Sequence, residues 1–324
     1  MPRASIVVAA SDGTALERTL RSLCAQTYPD FEIVVVDDGQ AGDSAALAES
    51  IGDLRIRVLR QRTRGLAGAR NTGIAAARGC FIGFCDAGDS WEPTKLAEHV
   101  SHLQARPAVG LSFSGSRTVT ATGRRALLWQ MPRQRRVGAA EIFRRNPVGA
   151  ASNAVFRRGA LLAMAFRPPQ ETERDWIFDE TFRQCDALEL WLRFALVTDW
   201  EIAAIPRPLS LCLVNDDASA QSVGKEIAAW ERIVAKLSAQ DRHFFGRHGK
   251  VARAYHLRHL ARLAIVAGDA PSAGQLLRAA LASSLRPLLE EPRATLSVCA
   301  ALLVLSLAGS AALDRLSSLR NRSA

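Results

Sequence analysis

Four short apolar runs, separated by helical patterns, constrain the fold of this chain more than any other feature. They are Ile6-Val7-Val8, Phe31-Glu32-Ile33-Val34-Val35-Val36, Ile56-Arg57-Val58-Leu59 and Phe81-Ile82-Gly83-Phe84-Cys85. Each is too short for a helix and reads as a buried strand. Residues 14–26 carry apolar side chains at 16, 20, 23 and 24 with Arg18 and Arg21 between them, the pattern of an amphipathic helix. Residues 44–51 and 67–78 read as two further helices, the last with Gly79 as its C-cap. Strand and helix in alternation, with continuously apolar strands, imply a parallel sheet covered on both faces. In such a sheet ligands bind beyond the carboxyl ends of the strands. Two of these strands end in acids, at Asp37-Asp38-Gly39 and at Asp86-Ala87-Gly88-Asp89.

Further along, residues 109–120 are expected to hold two more strands, and 124–145 a basic loop with Arg133, Arg135 and Arg136 close together. Residues 188–197 read as a helix and 202–206 as an edge strand ending at Pro206. From residue 226 onwards the pattern is helical, and residues 251–283 look like one helical hairpin. Pro206, Asp216-Asp217 and Gly224 cluster at this change. The boundary is therefore placed near 220, giving a domain at 1–220 and a helical region at 221–324. Residues 294–313 are free of charge and are followed by Arg315, Arg320 and Arg322. Their Ala and Ser content favours a packed or interfacial helix over a membrane span. The basic tail suits an anionic membrane surface.

Charge and composition narrow the function. Lys and Arg number 42 against 32 acids, a formal charge of +10, so the chain attracts anions. Only 6% of residues are aromatic and two are Tyr, which leaves little for base stacking and argues against nucleic acid. The six cysteines are scattered without a C-x-x-C pair, which fits a reducing compartment rather than a disulfide scaffold. Asp12 interrupts the first apolar run too early for a secretory leader, so the site is expected to be cytosolic. The six His show no metal spacing, and His256 and His259 read as helix-surface residues.

Four segments in register carry a family resemblance. They are Gln26-Thr27-Tyr28-Pro29, the strand ending in Asp37-Asp38-Gly39, the run Arg64-Gly65-Leu66-Ala67-Gly68-Ala69-Arg70-Asn71-Thr72-Gly73, and Phe84-Cys85-Asp86-Ala87-Gly88-Asp89-Ser90-Trp91. Together they resemble the family 2 glycosyltransferases, with QTYP, DDGS, G-x-x-x-ARN-x-G and DADD in that order. The segment Phe178-Asp179-Glu180 through Cys185-Asp186-Ala187-Leu188-Glu189-Leu190-Trp191-Leu192-Arg193 is similar to that family's FDE and CED-x-x-LWLR pattern. The resemblance covers roughly residues 4–215. It implies an α/β fold of GT-A type, a Rossmann-like mixed sheet flanked by helices, with a helical C-terminal region.

The implied activity is inverting transfer of a sugar from a nucleoside diphosphate donor, expected to be a UDP-sugar. The acceptor would be a hydroxyl of a saccharide or a lipid-linked glycan in cell-envelope polysaccharide synthesis. By resemblance Asp37, Asp38, Arg70 and Asp86 bind the nucleotide, with Asp38 on the base and Asp86 on the ribose. Aspartate can accept hydrogen bonds from uracil and ribose, and Arg presents a fork to base or diphosphate. Asp89 would hold Mn²⁺ or Mg²⁺ against the diphosphate. Asp186, with Glu189 one turn on, would serve as the general base that deprotonates the acceptor.

The chain departs from the family pattern at several points. Ala187 stands where the usual base is, and Gly88 where the second acid of D-x-D is. Ala9-Ala10-Ser11-Asp12 replaces P-x-Y-N, Gln40-Ala41-Gly42 follows Asp-Asp-Gly, and Cys212-Leu213 replaces Tyr-Arg. One residue along a helix turns a side chain by about 100°, so a base role for Asp186 requires a local change of backbone. Gly88 and Ala187 also frame a second class of function. In it, a catalytically degenerate transferase binds a nucleotide sugar or a partner enzyme and organises a pathway. The helical readings further assign Trp191 to the core, an ion pair to Glu189 and Arg193, and a helix cap to Asp89.

Overall fold

A computed structural model describes residues 1–10, 13–39, 43–61, 65–120, 125–132, 135–214 and 220–322. Ser11-Asp12, Gln40 to Gly42, Arg64, Arg124, Arg133 and Asp216-Asp217 lie outside the described residues. The chain divides into two compact units, Met1–Ile142 with Asn146–Val214, and Phe143–Arg145 with Asn215–Ala324.

The first unit is built in the expected alternation. In chain order its elements begin β1 (Ala4–Ala10), α1 (Gly13–Cys24), β2 (Phe31–Asp37), α2 (Ser44–Ile51), β3 (Ile56–Arg60), α3 (Gly65–Ala76) and β4 (Phe81–Phe84). Then come β5 (Ser90–Trp91), α4 (Lys95–Ala105), β6 (Val109–Thr120), β7 (Arg125–Gln130), β8 (Arg136–Val137) and α5 (Ala139–Arg145). The unit closes with β9 (Ala154–Arg157), α6 (Arg158–Leu162), α7 (Asp186–Val197) and β10 (Glu201–Val214). Ten strands among the described residues form one mixed sheet with central order β3-β2-β1-β4-β9-β6-β10-β5. β3, β2, β1 and β4 are mutually parallel, whereas β9 runs antiparallel to both β4 and β6. β1 and β2 are buried along their whole length, as strands covered on both faces must be. The strand order reverses between β1 and β4, so the crevice for a ligand opens above their carboxyl ends.

Several sequence expectations are corrected. Residues 109–120 form the single strand β6 and not two. Residues 125–130 and 136–145, expected to be loop, form β7, β8 and α5. The strand expected at 202–206 is not an edge. It belongs to the 14-residue β10, paired with β6 on one side and with β5 and β8 on the other. Pro206 cannot donate to a ladder, and the β6 pairing shifts register between Ile205 and Pro208 to accommodate it. Gly79 is not a left-handed cap. It lets the chain cross β1, since a Cβ there would stand 2.5 Å from the backbone carbon of Ala4. The Gly79 N–H donates to Ser5 Oγ at 2.8 Å.

Beneath the crevice lies an aromatic cluster. Phe84 meets Phe178 edge-on at 5.3 Å, Phe156 stacks on Trp191 at 5.7 Å, and Phe156 meets Phe194 at 5.5 Å. Trp191 is fully buried, as expected, and its indole N–H donates to Gly149 O at 3.1 Å. Such a cluster gives the strand ends above it a stiff floor.

The second unit is helical: α8 (Ala220–Ser238), α9 (Arg242–Val266), α10 (Ala270–Ser283), α11 (Arg286–Glu290) and α12 (Pro292–Arg322). Asp241 and Asp269 cap α9 and α10 by accepting from Phe244 N at 2.8 Å and Ser272 N at 3.0 Å. Leu257, Leu260, Ala261, Ala264, Ala273 and Leu277 form its core. Arg145 ties to Glu290 and Glu291 and stacks over Tyr255. His256 is not a free surface residue, because its ring stacks on Trp230 at 5.2 Å. Burial, with His259 and Arg253 nearby, lowers the His256 pKa to about 3. In α12 the stretch Pro292–Gly309 has a mean hydropathy of 1.6 and is only 17% buried, with Leu296, Leu303 and Leu307 exposed. Gly309, at φ 74°, interrupts the helix.

Candidate active site

Arg70 organises the crevice. It lies on α3 and is only 3% exposed, with its guanidinium over the Phe178 ring at 5.1 Å. Its Nε and Nη2 donate to the Asp86 carboxylate at 3.3 and 2.6 Å, and its Nη1 donates to Asp186. One buried cation therefore joins the end of β4 to the start of α7, and Arg70 and Asp186 stand 116 positions apart in the chain. Burial alone would lower the guanidinium pKa. Asp186 and Asp86 outweigh it and hold the pKa above its ordinary value.

The neighbouring Asn71 holds the opposite wall. Its side-chain amide donates to Phe178 O at 2.8 Å and Glu180 Oε1 at 2.9 Å, and its carbonyl accepts from the amides of Ile177 and Phe178. The Ala-Arg-Asn run thus sets the electrostatics of the site with one residue and its shape with the next. Asp186 begins α7 directly after Cys185, whose φ of 58° is rare for a residue other than glycine.

The two acidic strand ends behave differently. After β2, Asp37 accepts the Gly39 N–H at 2.8 Å, and Gly39 takes φ 85°. Asp37, expected on the nucleotide, thus closes the turn that presents Asp38. Asp38 is buried at the strand end. After β4, the Asp86 N–H donates to Ser152 Oγ at 3.0 Å, a contact that nothing in the local sequence announces. Asp89 does not cap a helix, because β5 intervenes and α4 starts at Lys95. Its Oδ1 accepts the Leu213 N–H at 2.8 Å. Burial and the nearby Asp86 raise its pKa to about 7.

Glu189, expected beside the base, belongs to the core. It is fully buried and receives two hydrogen bonds from Arg193, at 2.8 and 3.2 Å. Arg193 also donates to Met164 O and Ile177 O. The structure gives this pair the task of joining α7 to the segment under the site.

The donor set for a divalent cation does not fit. Such a cation needs several oxygen ligands. Both oxygens of Asp86 are engaged by Arg70, position 88 has no side chain, and an Asp89 oxygen is held by the Leu213 amide. Among the described residues no group of three or more His, Cys, Asp or Glu is placed to hold an ion.

Residues 5–163 match the family model described as glycosyl transferase family 2. The first unit is a family 2 glycosyltransferase domain. The transferase domain is similar to an uncharacterized glycosyltransferase of a Nostoc species, 41% identical over 100 residues, or 30% of this chain and 31% of that protein. It is also similar to the Escherichia coli UDP-Glc:alpha-D-GlcNAc-diphosphoundecaprenol beta-1,3-glucosyltransferase WfaP. That match is 33% identical over 116 residues, 35% of this chain and 46% of the enzyme. The chain thus spans less than half the length of these curated relatives. In fold it resembles the mannosyltransferase of Pyrobaculum calidifontis solved with GDP-Man and Mn²⁺. The TM-score is 0.57 at 21% identity, over 95% of this chain and 87% of that one. The transferase domain therefore has the GT-A architecture, a mixed sheet flanked by helices, and a helical region follows it.

Proposed function

We propose that the protein transfers a sugar, with inversion, from a nucleoside diphosphate donor to an acceptor hydroxyl in polysaccharide or glycoconjugate synthesis. The observation that carries this reading is the buried Arg70 joining Asp86 to Asp186 above the switch point of the sheet. Asp38 accepts hydrogen bonds from the base, Asp86 from the ribose, and Arg70 faces the diphosphate. The acceptor oxygen attacks the anomeric carbon as the bond to the diphosphate breaks. The nucleoside diphosphate leaves, and the acceptor proton passes to the Asp186 carboxylate. A divalent cation, where a family member holds one, neutralises charge on the leaving diphosphate. No step here depends on it.

The base of the donor is read as uracil from the UDP-Glc named for WfaP, although the archaeal neighbour was solved with GDP-Man. WfaP's named acceptor, a diphosphoundecaprenol-linked sugar, supports a lipid-linked glycan as acceptor here. The exposed apolar length of α12 and the basic composition of its end support a peripheral position at the cytoplasmic face of an anionic membrane.

Calorimetric titration of UDP, GDP, CDP and TDP into the full chain, and into Asp38→Ala, tests this function. Selective binding of one nucleotide, lost in Asp38→Ala, is the expected result. No binding of any of the four overturns it and leaves the fold as a scaffold.

A further inference from the structure

The loop after β4 has a backbone conformation that disfavours the acid its position in the family pattern calls for. Gly88 has φ 100°, a conformation L side chains rarely adopt. A Cβ at residue 88 would stand 2.8 Å from Leu213 Cδ2 and 3.6 Å from Ala15 Cβ. The loop is held in this shape from two sides. The Gly88 N–H donates to Thr19 Oγ1 at 3.0 Å, and Thr19 Oγ1 donates to Asp89 O at 2.7 Å. The Leu213 N–H donates to Asp89 Oδ1, which brings the apolar Leu213 side chain against residue 88. Gly88 and Leu213 are thus one feature, an apolar filling at the point where a cation ligand would stand.

A cation is nevertheless present at this loop, and it belongs to the chain. Arg18, an exposed residue of α1, donates from Nη2 to the Gly88 carbonyl. A guanidinium offers five N–H donors in a planar fork, more than one carbonyl can use, and the fork matches phosphate oxygens. We propose that Arg18, docked on Gly88 O, meets the negative charge of the donor diphosphate in place of a divalent cation held by the 86–89 loop. This makes Arg18 a specificity-determining residue that separates nucleoside diphosphates from monophosphates. The inference rests on reading the crevice as a nucleoside diphosphate site.

The test uses the full chain and whichever of UDP, GDP, CDP or TDP binds it best, beside the matching monophosphate. Each is titrated in Mn²⁺ and in EDTA. The wild-type affinity for the diphosphate is expected to differ by less than about fivefold between the two buffers. Arg18→Ala, a change at an exposed position, is expected to weaken the diphosphate about tenfold and to leave the monophosphate within about twofold. Thermal unfolding confirms that the variant is folded. A wild-type gain of about fivefold or more in Mn²⁺, or Arg18→Ala binding the diphosphate like wild type, overturns this inference and leaves the transferase reading standing. If no diphosphate binds in either buffer, both fall together.

Discussion

Two Glu–Arg pairs, each spaced i to i+4 on a helix, sit in opposite surroundings. Glu17 and Arg21 on α1 meet at 2.7 Å with side chains 49% and 65% exposed. Glu189 and Arg193 on α7 meet at 2.8 Å with side chains 0% and 7% exposed. Their spacing in the sequence is the same and their distances nearly so. In water the attraction is screened and offset by side-chain entropy. In the core neither charge can be left alone, because each would lose its solvation without a partner. Arg70 with Asp86 and Asp186 lies between these limits, since the cation is 3% exposed and its acids 23% and 11%. That intermediate setting lets carboxylates remain within reach of a ligand while the cation stays in place.

The largest expected effect comes from breaking the buried pair. Glu189→Gln leaves Arg193 without its carboxylate and should lower unfolding free energy by about 3–5 kcal/mol in urea denaturation. A loss below about 1 kcal/mol would mean that burial does not separate the two pairs. Next in size is Asp186→Asn, three residues earlier on the same helix. Here transfer should fall by about a hundredfold, close to 3 kcal/mol in the barrier, while folding stability changes by less than about 1 kcal/mol. Transfer retained at the wild-type rate would remove Asp186 from the base role.

A buried cation without a carboxylate partner sharpens the contrast. Lys95 is fully buried, with its ammonium near His99 Nε2 at 3.2 Å, Ser114 Oγ at 2.8 Å and Asn153 O at 3.3 Å. Burial lowers its pKa from 10.5 to about 7. Between these values the unfolded chain binds a proton that the folded chain does not, so raising the pH favours the fold. From pH about 7 to about 9, wild type should gain roughly 2 kcal/mol relative to Lys95→Met in denaturant titrations. A gap that does not change with pH would contradict the lowered pKa. The smallest effect belongs to the surface pair, where Glu17→Gln should cost no more than about 0.5 kcal/mol and less at high salt.

Much of the fold was legible because its cause is local. A run such as Val34-Val35-Val36 must be buried, and the amphipathic stripe of α1 follows from the spacing of Leu16, Leu20 and Leu23. The middle of the chain was less legible. β6 and β10 are long strands whose lengths are set by each other, and Pro206 suggested an edge that the register shift makes unnecessary. In the site, the place of Arg70 in the Ala-Arg-Asn run pointed to it, whereas Ser152 and Thr19 carried no local signal and Leu213 showed only as a departure from the family's Tyr-Arg. Asn71 stood in a motif, but its task depends on Ile177 to Glu180, which the motif does not contain.

By itself the amino-acid order determined the alternating strands and helices, the acids at the ends of β2 and β4, and the family of the domain. These follow from periodicity and short motifs, which act over a few residues. Tertiary structure alone decided which acids Arg70 received. Asp186 became its partner, whereas Glu189, in the same first turn of α7, kept the i to i+4 pairing with Arg193 that the helical spacing announces. It also decided that Leu213, 124 residues from Asp89, would fill the space beside Gly88. Burial and close approach set these outcomes, and both exist only once distant segments have packed.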